Sequence, residues 1–145
     1  MEAAGRKKPL ETRERILDAA EDVFNAKGVS RTTLNEIAEA AGVTRGAIYW
    51  HFKNKVELFD AMVGRVRGPI KELVEKTADI NTEDPLEQLS LGHESLMQGV
   101  IDNPHYRKVL NILFHKCEYT DEDDAIVIQQ KEWQTYCNNM IENTL

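Results

Sequence analysis

An all-α protein is the expectation, and three observations carry it. Apolar residues recur at spacings of three and four along most of the 145-residue chain, the mark of amphipathic helices. Helix-start chemistry precedes several of these stripes, at Thr33, Thr44, Asn54, Asp84-Pro85 and Asn103-Pro104. No segment alternates with the period of two that a half-buried strand requires, and there are no internal repeats or low-complexity runs.

Residues 1–9 read as a flexible arm. Thr12 to Lys27 form a first helix on the stripe Ile16, Leu17, Ala20, Val23 and Phe24, ended by Gly28. Thr33 and Glu36 fit a capping box, so a second helix starts at Thr33, with Leu34, Ile37, Ala38 and Ala41 on one face. Gly42 stands where a helix end favours positive φ. Thr44 then caps a third helix beginning at Arg45, which buries Ile48 and Phe52. Asn54 caps a fourth, running through Val56, Leu58, Phe59, Met62, Val63 and Val66 to about Ala78. Gly68-Pro69 is expected to kink or interrupt it, because proline removes a helix hydrogen bond.

Asp84-Pro85 opens a helix with Leu86, Leu89, His93, Leu96 and Val100 at helical spacing. Asn103-Pro104 opens the next, with Val109, Leu110, Ile112, Leu113 and Phe114. The acidic run 120–124 reads as a loop and helix start, and a last helix from about Ala125 carries Ile126, Trp133, Tyr136, Cys137, Met140 and Ile141.

Helices two and three, joined by a tight turn containing Gly42, make a helix-turn-helix. The outer face of the third suits DNA. Arg45 bridges a guanine edge or a phosphate. Small Gly46 and Ala47 let the helix N-terminus, with its free amides, press towards the groove. Tyr49 and His51 donate to phosphate oxygens, and Lys53 and Lys55 add charge. Trp50 either donates through its indole N–H or packs inward. Thr33 and Thr44 complete the candidate DNA-binding set. A merely structural corner has no reason to expose Tyr49 beside His51 and two lysines. Arg6, Lys7 and Lys8 read equally as a groove-following arm or a solvated tail.

Thr33 to Lys55, ending in TRGAIYWHFKNK, resembles the DNA-binding domain of the tetracycline-repressor (TetR) family, and with the two preceding residues it is very similar to multidrug-efflux repressors of the AcrR type. The likeness continues upstream in ETRERILDAAEDVFNAKG and downstream in ILFHKCEYTDED. The resemblance implies a homodimeric, all-helical repressor that leaves a near-palindromic double-stranded operator when a hydrophobic or amphipathic small molecule binds. The implied division is a helix-turn-helix DNA-binding domain over 1–55 and a helical ligand-binding and dimerisation domain over 56–145. By the same resemblance, Val66 and a set comprising Leu89, His93, Leu96, Leu110, Asn111, Phe114, Cys137 and Ile141 are nominated to line the pocket, with His93, Asn111 and Cys137 as its polar members. Packed core is the other reading of each. Family members continue well beyond this length, so the second domain is expected to be truncated at its C-terminus and incomplete. The alternative function is then a helical interaction module that pairs with a full-length relative or a protein partner and does not repress alone. An exposed apolar face at Trp133, Tyr136 and Met140 would be its sign.

Charge fits a DNA reader. Residues 1–55 carry 10 Lys and Arg against 8 Asp and Glu, while 56–145 carry 8 against 17, so only the first part is drawn to phosphate. No secretory leader and no membrane-length apolar run is visible. Two cysteines are too few for a disulfide framework, and a reducing cytoplasm is the simple expectation. His115-x-Cys117-Glu118 is not a zinc-ligand spacing. With no glycine-rich phosphate loop and no nucleophile elbow, no enzyme activity, cofactor or metal is expected.

Overall fold

The computed structural model describes residues 2–77, 83–117 and 125–144. Among these the chain forms the helices α1 (Glu2–Lys27), α2 (Leu34–Ala41), α3 (Arg45–His51), α4 (Lys55–Thr77), α5 (Pro85–Asp102), α6 (Pro104–Asn111) and α7 (Ala125–Thr144). A π-helical turn, Ile112–Lys116, follows α6. The acidic run 120–124 lies outside the described residues.

Helix is continuous in two places where a flexible arm or an interruption was expected. Residues 1–9 were expected to be a flexible arm, yet α1 already begins at Glu2 and passes through Pro9. Ala3, Ala4, Arg6, Lys7 and Lys8 all favour helix, and the one bond that Pro9 removes does not end it. Likewise α4 runs through Gly68-Pro69 without interruption.

The chain divides into two compact units. One comprises Met1–Val63 and Lys108–Glu118, the other Gly64–Arg107 and Tyr119–Leu145. The first unit thus takes in the start of α4 through Val63 together with the returning segment Lys108–Glu118.

The first unit holds a dense core. Ile16, Leu17, Ala20 and Phe24 of α1, Ile37 of α2, Ile48 of α3 and Leu58, Phe59, Met62 and Val63 of α4 are fully buried, as are Val109 and Ile112. Phe24 and Phe59 meet edge to face with centroids 6.1 Å apart, a favoured aromatic geometry. Polar contacts fix the returning segment on α1. Lys108 Nζ lies 2.7 Å from Asp22 Oδ1, Asn111 Nδ2 donates to Asn25 Oδ1 at 2.6 Å, and Asn25 Nδ2 donates to the Lys108 carbonyl at 3.3 Å.

In the second unit, Asp84 caps α5 by accepting from the Glu87 N–H at 3.0 Å, with Pro85 in the first turn. Val66, Ile126 and Val127 are buried. Trp133 and Tyr136 of α7 stack with centroids 5.5 Å apart. From α4, Arg67 lies over the Trp133 ring and Lys71 over the Tyr136 ring, at 5.3 and 5.9 Å, and Tyr136 Oη donates to Glu75 at 3.1 Å. Residues 67, 71 and 75 are four apart and so share one helix face.

Candidate nucleic-acid interface

The helix-turn-helix is built from local chemistry. Thr33 Oγ1 accepts from the Glu36 N–H at 3.3 Å and so caps α2. The Glu36 carboxylate lies 2.6 Å from Lys27 Nζ and also accepts from the Thr33 backbone, as the capping box expects. The hydrogen bond from Lys27, more than that from Thr33, holds its pKa below the ordinary carboxylate value. Gly42 ends α2 with φ 69°, in the left-handed region that costs a side chain energy. Arg15 reinforces that turn by donating to the Ala41 carbonyl at 2.7 Å. Thr44 Oγ1 accepts from the Ala47 N–H at 3.1 Å and starts α3. Ile48 and Phe52 hold α3 on the core, and the Arg13 guanidinium lies 5.5 Å from the Phe52 ring centroid.

What α3 turns outward is the nominated set. Thr33, Thr44, Arg45, Gly46, Tyr49, Trp50 and Lys53 are exposed, and Ala47 is half-buried. Trp50 is 75% exposed, so of its two readings the outward one holds. Arg45 lies over the Tyr49 ring, 5.5 Å from its centroid, which orders both side chains in advance. His51 is half-buried and meets Trp50 edge-on, with centroids 4.7 Å apart. Burial, and then the charge of Arg13, lowers its pKa. Its ring is therefore neutral near pH 7 and offers one N–H.

Lys55 requires a correction. Its ammonium donates to the carbonyls of Val29, Thr32 and Ser30 at 2.9, 3.1 and 3.4 Å, and is engaged within the chain rather than free for phosphate. Contacts spanning more than 20 residues leave no local mark in sequence. Arg13 and Arg15, which support α3 and the turn from behind, were missed for the same reason.

The nominated pocket residues are divided between the two units. Leu110, Asn111 and Phe114 belong to the first unit, and Val66, Leu89, His93, Leu96 and Cys137 to the second. Phe114 is 75% exposed, because it follows buried Ile112 by two positions in the π turn and so points away from the core. His93 and Asn111 are exposed, Leu89, Leu96, Leu110 and Cys137 half-buried, and Val66 buried. The Ile141 side chain lies outside the described residues. Burial raises the Cys137 thiol pKa. The second unit instead holds a cavity of about 320 Å³, lined by Pro69, Ile70, Leu73 and Lys76 of α4, Leu96 and Gly99 of α5, and Tyr106 of α6, with Glu72 and Ser95. Leu96 alone was foreseen. Tyr106 packs directly on Gly99, whose hypothetical Cβ would lie 2.8 Å from the ring.

Residues 16–62 match the tetR family of bacterial regulatory proteins, and residues 84–145 match the C-terminal region of MAATS-type transcriptional repressors. The probable acrEF/envCD operon repressor of Escherichia coli K12 is 44% identical over 117 residues, 78% of this chain and 51% of that protein. The uncharacterised HTH-type transcriptional regulator TtgW of Pseudomonas putida is 38% identical over 106 residues, 73% of this chain and 75% of that protein. The chain belongs to the TetR family.

The TetR match at 16–62 contains α2, the turn and α3 entire. Among solved structures, the triclosan complex of SmeT, repressor of the Stenotrophomonas maltophilia multidrug efflux pump SmeDEF, is similar with a TM-score of 0.80. The two are 33% identical over 93% of this TetR chain and 64% of that one. The chain spans 51–58% of the length of the first curated relatives it matches. The exposed apolar face that would mark an interaction module is not formed by Trp133, Tyr136 and Met140, which are half-buried.

Proposed function

We propose that this chain is a ligand-responsive repressor that reads double-stranded operator DNA through α3. The observation that carries the reading is the exposed side of α3: Arg45 over Tyr49, Trp50 in solvent and the capped N-terminus at Thr44, with exposed Lys53 just beyond the helix. Arg45 and the helix N-terminus meet the groove, Tyr49, Trp50 and His51 donate to phosphate, and Lys53 supplies charge. Two copies of the chain place two such helices in successive major grooves, about 34–36 Å apart, on a near-palindromic site. The regulated gene is a neighbouring multidrug-efflux operon, as the names of the relatives support, and the protein works in the cytoplasm.

The effector is a hydrophobic or amphipathic small molecule. The cavity of the second unit has the size and mixed lining of a ligand site. A ligand that binds better to the conformation unable to hold DNA shifts the population towards it.

The test is a salt-dependent filter-binding titration of the full chain on duplex DNA from upstream of its own gene, with a scrambled duplex as control. Specific binding that weakens steeply with salt supports the reading. Equal, weak binding to both duplexes refutes it.

A further inference from the structure

The loop between α1 and α2, residues 28–33, is held by two groups from elsewhere in the chain. From one side the Lys116 carbonyl, at the end of the π turn, accepts the Val29 N–H at 2.9 Å. From the other, the Lys55 ammonium reaches the carbonyls of Val29, Ser30 and Thr32. Within the loop, Thr32 Oγ1 donates to the Gly28 carbonyl at 2.7 Å. Val29 and Thr32 are 4% and 2% exposed. The bonds to the Val29 and Thr32 carbonyls are therefore partly shielded from water, while Ser30 is exposed, and a charged donor to the first two is worth more than on a surface. The next residue, Thr33, caps α2, and Lys55 is the first residue of α4, directly after α3.

From this geometry we infer that Lys55 is a positioning residue for DNA recognition: with the Lys116 carbonyl it clamps the 28–33 loop and so sets the pose of α2 and α3, without touching phosphate itself. The inference rests on the DNA-binding reading for its consequence, but the clamp is measurable without DNA. A π turn fits this role. Its wide i→i+5 geometry is rare and recurs at functional positions, and here it delivers the backbone carbonyl of its last residue, Lys116, to the loop.

The experiment compares the full chain with Lys55→Met, Lys55→Arg and Lys53→Met. Two readouts are taken: amide hydrogen exchange at Val29 and Thr32 without DNA, and filter binding to the upstream duplex across a salt series. Lys55→Met keeps the aliphatic stem and removes the donor. It is expected to speed exchange at both amides and to weaken binding about tenfold, the loss of roughly one charge-assisted hydrogen bond. The slope of log affinity against log salt stays unchanged, and Lys55→Arg restores both readouts at least in part. Lys53→Met leaves exchange unchanged and lowers the slope by about one, as losing a phosphate contact does. Lys55→Met lowering the slope by about one with exchange unaltered makes Lys55 a phosphate contact and overturns the inference. So does a variant that changes neither readout. Should no variant bind DNA, the functional reading fails, while accelerated or unaltered exchange still decides the clamp.

Discussion

Tyr49 and His51 sit two positions apart on α3 and face different surroundings. Tyr49 is 44% exposed beneath Arg45, so its hydroxyl meets solvent in the free protein and is available to a phosphate. Tyr49→Ala is expected to weaken operator binding roughly tenfold, the worth of one hydrogen bond to a charged group, with an unchanged thermal melt. Unaltered affinity removes Tyr49 from the contact set. His51 is neutral in the fold because burial, and secondarily Arg13, disfavours its charged form. Its folded pKa lies below the unfolded value of about 6.5. The unfolded chain thus takes up the proton first, and this contribution to stability is complete above that value and is lost as pH falls towards the lowered one. Arg13→Gln is expected to raise the His51 titration midpoint in an NMR series while leaving it below the ordinary value, since burial is the larger cause. A midpoint that does not move shows that Arg13 is not felt at the ring.

The helices were legible from sequence where their causes are local. The caps at Thr33, Thr44, Asn54 and Asp84 each satisfy an N–H three residues on, and a three-residue spacing can be read directly. The end of α2 is legible likewise. Gly42 has positive φ, and a Cβ there would come within 3.2 Å of Arg15 Nη2, the atom that holds the Ala41 carbonyl. Gly42→Ala is therefore expected to cost about 1–2 kcal/mol in a denaturant melt, from left-handed strain and a disturbed cap. A loss of less than a few tenths contradicts this account. The interruption expected at Gly68-Pro69 is absent although Gly64, Val66 and Gly68 precede the proline, because one lost helix bond does not end a helix whose flanks continue in helix formers such as Lys71, Glu72 and Leu73. The π turn had no signal at all, since its apolar residues also fit an ordinary helix.

The proposed DNA-reading surface could be named from sequence because six of its ten candidate residues lie in one seven-residue helix. The cavity could not, because α4, α5 and α6 each contribute part and only packing decides which side chains meet. His93 faces solvent and Phe114 belongs to the other compact unit. The contact of Tyr106 with Gly99 gives that cavity a handle. An added methyl must displace the ring, because 2.8 Å is closer than Cβ atoms approach. Gly99→Ala is expected to cost about 1–3 kcal/mol through overpacking and to change the concentration of hydrophobic effector needed for release from DNA, while DNA affinity without effector is kept. Release at an unchanged concentration separates the cavity from effector binding.

The chain contains two tryptophans, and they fall one to each compact unit. Trp50 stands in solvent on α3, and Trp133 lies half-buried against Tyr136 under a guanidinium. Their emission therefore differs in colour before any label is added. A duplex docking on α3 quenches the redder component, and a small molecule in the second unit perturbs the bluer one. A single fluorimeter cuvette thus tells which of the two units a compound has engaged.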